Sequence, residues 1–185
     1  MTRWKALKVG GALTLLCVTL AIPLGQAAEI SNDQAVRYIL AMVKAFRTTY
    51  VRGVVERLKN AGIEAKADWI NDDHAIMLPF EFVKQGGTQI KRDVKDVDIG
   101  LISLTPIDPS NLPKTPAERE ALTTLVADSE RTILTFGDDH QYKGLVADIV
   151  IDQMCADCHN HHPKSPKKDF KQGDVMGAIV VRINP

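Results

Sequence analysis

The run Cys155-Ala156-Asp157-Cys158-His159 sets two thiols three positions apart, with an imidazole directly after the second. At this C-x-x-C-H spacing the thiols can add across the two vinyl groups of one heme, while the following histidine reaches the iron from one face. The predicted chemistry is one covalent heme c, with Cys155 and Cys158 as thioethers and His159 as the proximal iron ligand. Three other readings use the same residues. A thioredoxin-like redox pair needs a βαβ setting and an apolar lead-in, which Asp152-Gln153-Met154 does not provide. A zinc site could draw on Cys155, Cys158 and His161 or His162, but would lack the distant ligand pair of a structural finger. A disulfide would close too short a loop to stabilise much.

The setting favours heme. Arg3, Lys5 and Lys8 precede an apolar run over residues 9–24, which ends in Gly25-Gln26-Ala27-Ala28. This pattern predicts a secretory signal peptide over residues 1–28, export to the periplasm, and one domain over residues 29–185. An uncleaved anchor is the rival reading. The run is roughly 16 residues against the ~20 a comfortable span needs, and Pro23 sits near its end. Cleavage removes Cys17 and leaves Cys155 and Cys158 in an oxidising compartment. The whole chain carries 23 Lys+Arg and 23 Asp+Glu, so losing three bases and no acid leaves a mildly acidic protein. No basic patch argues for nucleic acid, and no membrane attachment is expected after cleavage.

The elements that must carry the motif can be read in outline. Ser31 with Gln34 has the form of a capping box, opening a long helix that runs to about residue 60. Ile39, Met42, Val43, Phe46, Tyr50, Val54 and Leu58 recur at three- and four-residue steps and predict its apolar face. Short runs at 97–104 and 132–136, alternation through 142–151, and the segment 176–183 predict strands. Pro106, Pro109, Pro113 and Pro116 predict a surface loop, and Thr115-Pro116-Ala117-Glu118 starts a second helix. The expected fold class is α+β: a mostly antiparallel sheet, a long N-terminal helix and a C-terminal heme-attachment segment.

Residues 160–177, from Asn160-His161-His162-Pro163 through Ser165-Pro166-Lys167 and Asp169-Phe170-Lys171 to Gly173-Asp174, extend the motif. This tail resembles the periplasmic PAS-like c-heme proteins, a bacterial family long classed as a domain of unknown function. Its pattern runs approximately C-x-x-C-H-N-x-H-P-x-S-P-K-x-D-W-K-x-G-D-x-x-G, and Phe170 replaces the Trp. Leu78-Pro79-Phe80-Glu81-Phe82 is similar to the family's L-P-x-x-F element, and Ser103-Leu104-Thr105-Pro106 to its S-x-x-P loop. The resemblance spans the exported chain. It implies a PAS-like sheet holding one heme c, with His159 as proximal ligand, in a protein that senses redox state or small gases. Some members stand alone and others are joined to signalling domains. At least one is associated with a cysteine as second axial ligand, and here the exported chain has no spare cysteine.

The sixth iron position is therefore open to reading. Met42 lies on the predicted apolar face of the first helix and Met77 precedes Leu78-Pro79; both are distal candidates, with core packing as the alternative for each. His74, His140, His161 and Met176 complete the set. His162 is read as a cofactor-binding group that orients the loop or meets a propionate, because it lies too close to His159 to cross the porphyrin. An open site suits nitric oxide or carbon monoxide, whereas Met/His ligation raises the potential and suits electron transfer. The first expectation is a non-enzymatic redox or gas sensor-like heme protein, working with a periplasmic redox or signalling partner. The alternative is a mono-heme electron carrier. Turnover of a nitrogen oxide or peroxide at open iron is a third class, for which no distal His–Arg pair is visible.

Overall fold

The computed structural model describes residues 29–128, 133–138 and 140–184. The expected signal peptide over residues 1–28 lies outside the described residues. The chain begins in helix α1 (Asn32–Tyr50), whose Ser31 hydroxyl accepts from the Gln34 amide while Gln34 reaches back to the Ser31 amide. A π-helical turn over Val51–Val55 leads into a last helical turn, α2 (Glu56–Lys59), so the long predicted helix forms with an irregularity around Gly53. Two-residue strands β1 (Glu64–Ala65) and β2 (Ala75–Ile76) then pair in parallel.

Helix α3 (Pro79–Asp93) follows and was not legible as a helix, because Pro79, Gly86 and Gly87 lower its intrinsic propensity. Local and tertiary terms override that. Pro79 sits at the permissive first turn, and the Glu81 carboxylate accepts from the Leu78 amide at 3.1 Å. Gly87 lets the helix lie against the next strand, since a Cβ there would stand 2.5 Å from the Ile99 carbonyl oxygen. That strand, β3 (Val97–Ile102), precedes helix α4 (Pro116–Ala127), capped by Thr115. Strands β4 (Ile133–Gly137) and β5 (Tyr142–Ile149), helix α5 (Gln153–His161) and strand β6 (Val175–Ile183) complete the chain.

The four longer strands form one antiparallel sheet in the order β3-β6-β5-β4. Alternation divides its residues between two cores. Ile99, Val146, Ile179 and Val181 face α1 and α3, meeting Val36, Leu40 and Val83. Ile102, Leu145, Ala178 and Val180 face α4, meeting Leu122 and Leu125. A third, smaller cluster of Val150, Ala156, Phe170 and Met176 seats α5 beyond the end of the sheet. The architecture is α+β with a long N-terminal helix and an antiparallel sheet, as expected.

One expectation needs correcting. The most deeply buried residues of the first helix are Val36, Leu40, Arg47, Val51 and Val55, beside the predicted apolar stripe, of which only Ile39 and Val43 pack against the same core. Gly144 on β5 decides this, because its missing side chain admits Val36 and Leu40; a Cβ there would fall 2.3 Å from Val36 Cγ1. The stripe is turned to the flank, leaving Met42 52% and Phe46 62% exposed.

Candidate functional site

Cys155, Cys158 and His159 all lie on α5, at i, i+3 and i+4, the spacing that puts three side chains on neighbouring turns of one helix face. The Asp152 carboxylate caps the helix by accepting from the Met154 amide at 2.8 Å. Buried Ala156 anchors the helix in the core of Val150, Phe170 and Met176, against which Cys155 also packs. Both cysteines are free thiols, Cys155 half-buried and Cys158 exposed. Partial burial pushes both thiols above their ordinary range, the reverse of what an attacking redox cysteine requires. Among the described residues no group of three or more His, Cys, Asp and Glu side chains is gathered to hold a bare metal ion.

His159 is half-buried, and its ring meets the Phe170 ring edge-on, with centroids 5.6 Å apart. Burial lowers its pKa, with Asp148 opposing and His162 and Arg47 assisting. The imidazole is thus neutral at pH 7, the form that ligates iron. Phe170 is itself held from both sides: its amide donates to Asn160 Oδ1, and its carbonyl accepts from Asn160 Nδ2, each at 2.9 Å. The tail residues Asn160 and Phe170 therefore fix the helix face that presents His159.

His162 closes the helix and orders the loop behind it. Its amide donates to the Cys158 carbonyl at 3.1 Å, and its Nδ1 accepts from the Lys164 amide at 3.2 Å. Its carbonyl accepts from Lys168 Nζ at 3.0 Å. His161 is exposed and donates from Nδ1 to the Asp157 carbonyl at 2.8 Å. His74 and His140 are exposed, and Met176 is buried in the core beneath α5.

The two distal candidates are not brought to α5 by the packing described here. Met42 is exposed on α1. Met77 lines an apolar groove of about 300 Å³ between α1 and α3, with Val43, Phe46, Phe82 and Ile90, and no residue of α5 borders that groove. The Met77 carbonyl also accepts from the Tyr50 hydroxyl at 2.7 Å, which fixes its backbone beside the Tyr50–Phe82 ring stack.

The packing adds two residues that sequence reading missed. Arg47 of α1 is 6% exposed, and its Nη2 lies 2.7 Å from Oδ1 of Asp148, which is 9% exposed. Both carry charge into the electrostatic surroundings of His159 and Cys155. Two local irregularities place them. Arg47 sits one turn before the π-helical segment, and Asp148 sits where the β5–β6 register shifts at Asp148/Ile149. The sequence signal available was Arg47 at a helical step from Val36, Leu40 and Val51, a charge within a buried row.

The family model described as Tll0287-like matches residues 25–184. No curated protein sequence is significantly similar to the chain. Among solved structures, the crystal structure of the cyanobacterial heme-protein Tll0287 superposes with a TM-score of 0.61. That alignment covers 83% of this chain and 97% of the other at 15% identity, a likeness that establishes the shared fold. By the extent of the family match, this chain belongs to the Tll0287-like family.

Proposed function

We propose that this protein is a periplasmic, single-heme c-type cytochrome acting as a redox or small-gas sensor-like heme protein, without enzymatic turnover of its own. One observation carries the reading: two free thiols and a neutral imidazole share a face of α5 in a chain whose structural relative is a heme-protein. Cys155 and Cys158 hold the heme as thioethers, and His159 binds the iron. Bound heme supplies a one-electron redox couple and a site for a diatomic gas. The Asn160–Phe170 clamp keeps His159 in register with the two thiols, and His162 orders the loop that closes over them. The antiparallel sheet with helices on its faces supports the PAS-like reading of the fold.

An open or weakly held sixth position is favoured over a methionine ligand, because Met42 is exposed and Met77 faces the α1–α3 groove. The signal peptide expected over residues 1–28 supports heme attachment in the periplasm, where a separate redox or signalling partner would read the domain. Among the described residues no helix is long and apolar enough to cross a membrane.

The test is the absorption spectrum of protein produced with the heme c attachment machinery. A reduced pyridine hemochrome of thioether type, lost entirely in C155S/C158S, is expected. A Soret shift of the ferrous protein under carbon monoxide or nitric oxide is also expected. A six-coordinate low-spin ferrous spectrum indifferent to both gases would overturn gas binding in favour of the electron carrier. Normal cofactor binding by C155S/C158S would overturn the heme c reading itself.

A further inference from the structure

We propose that Arg47, steadied by Asp148, is a binding residue of the heme site and that its Nε receives an anionic oxygen there. The inference rests on the heme reading above and extends it to two residues outside the C-x-x-C-H tail.

The observation is an incompletely satisfied pair. Arg47 Nη2 stands 2.7 Å from Asp148 Oδ1, yet the approach lacks hydrogen-bond alignment. Arg47 Nε and Asp148 Oδ1 are both buried with no hydrogen-bond partner among the described residues. A buried donor on a charged group left unmade forfeits more than an ordinary hydrogen bond, so native proteins fill such positions. A guanidinium offers its donors in a fixed planar fork, so a carboxylate engaging one edge leaves Nε directed elsewhere. The pair also lies where α1 and β5 depart from regular geometry, at the π-helical turn and the β5–β6 register shift. Single π-helical turns and β-bulges recur beside functional sites, where they re-aim a side chain. Finally, Asp148 stands two residues before Val150, which packs with Ala156 of α5 in the cluster that Cys155 joins.

The chemistry that satisfies a buried cationic N–H is an anionic oxygen. Heme brings two sources of it: its own carboxylate side chain, or an oxyanion taken up at the iron. Either would complete the Arg47 fork, and the two are separable by experiment.

The holoprotein is compared with R47K, which keeps a cation for Asp148 but offers no Nε, and with R47Q/D148N, which removes both charges without stranding one. Heme content by pyridine hemochrome and the thermal midpoint serve as controls. If Nε binds a heme carboxylate, R47Q/D148N lowers the ferrous-to-ferric ratio at a fixed ambient potential by about tenfold, because the carboxylate's charge is no longer offset, and R47K, which keeps the charge, moves it less. Nitrite affinity then stays unchanged. If Nε binds an oxyanion at the iron, nitrite dissociates about tenfold more readily from the ferric variants and the potential moves little. Heme-loaded R47Q/D148N with wild-type potential and wild-type nitrite affinity overturns the proposal and leaves the pair a structural tie. Absence of a hemochrome from the wild-type protein instead removes the heme reading, and this inference with it.

Discussion

The two faces of the sheet each bury a charged constellation, and the two are finished to different degrees. Under α4, Glu118 is fully buried and accepts from Arg182 Nε and Nη2 at 2.7 and 3.1 Å and from the Lys114 amide at 2.8 Å. Lys143 Nζ stands 3.3 Å from the same carboxylate, and Arg182 Nη1 reaches Asp98 at 3.0 Å. On the α1 face, Arg47 and Asp148 have one another and little else. The two carboxyls respond in opposite directions. Burial raises Glu118, but Arg182, the Lys114 amide and Lys143 outweigh it and hold the group below the ordinary carboxylate range. Burial raises Asp148, and Arg47, His159 and Lys44 offset only part of that, so it stays above the range. A saturated network locks α4 to the sheet, whereas the other leaves a buried donor and a buried acceptor without hydrogen-bond partners among the described residues.

The comparison can be broken first at Glu118. Replacing it with alanine takes from Arg182 and Lys143 the buried carboxylate they share, leaving them Asp98 and Asp138, and should destabilise the apoprotein by about 3–5 kcal/mol in urea titrations. A loss under about 1 kcal/mol would show that the network is not the lock on α4.

The Asn160 clamp should come next. Asn160→Ala leaves the Phe170 amide and carbonyl without their partners and should cost about 2 kcal/mol by thermal unfolding. It should also loosen the face that carries His159, measured as a lower heme yield than in Glu118 variants of matched expression.

The pH dependence separates the two constellations by sign. Glu118 has a folded pKa below its unfolded one, so its contribution is present above pH ~4.5 and fades as pH falls through the lowered value. The deficit of Glu118→Gln should therefore be full at pH 7 and shrink below pH ~4. Asp148 has a raised folded pKa, so its contribution is present below pH ~3.8 and is lost as pH rises through the raised value. The balance between the wild-type protein and Asp148→Asn should therefore move toward the asparagine variant as pH rises. The two slopes, read from denaturant midpoints across pH 3–8, should have opposite signs; equal signs would end the distinction.

Much of this molecule was legible without coordinates. The Ser31 capping box, the Thr115-Pro116 helix start and the apolar run of the last strand are local signals, and each element formed where local chemistry placed it. Helix α3 was hidden because its two glycines weaken the local signal, while the reason for Gly87 lies in the Ile99 carbonyl across the interface. The face of α1 was misread for the same kind of reason. Hydrophobic spacing marked a stripe through Met42 and Phe46, but the space left by Gly144 on β5 selected Val36 and Leu40 instead.

The sequence by itself determined the constellation on α5: two thiols and an imidazole at i, i+3 and i+4 are a fixed spacing within one helix, and no distant residue is needed to bring them together. Only the tertiary structure decided what faces them. Glu118 and Arg182 are 64 positions apart, and Arg47 meets Asp148 only because α1 lies across β5 at the level of its register shift. Charges in a sequence read as solvated until packing removes the water, and it is burial, set by the whole fold, that turns one such pair into a lock and leaves the other with a free donor.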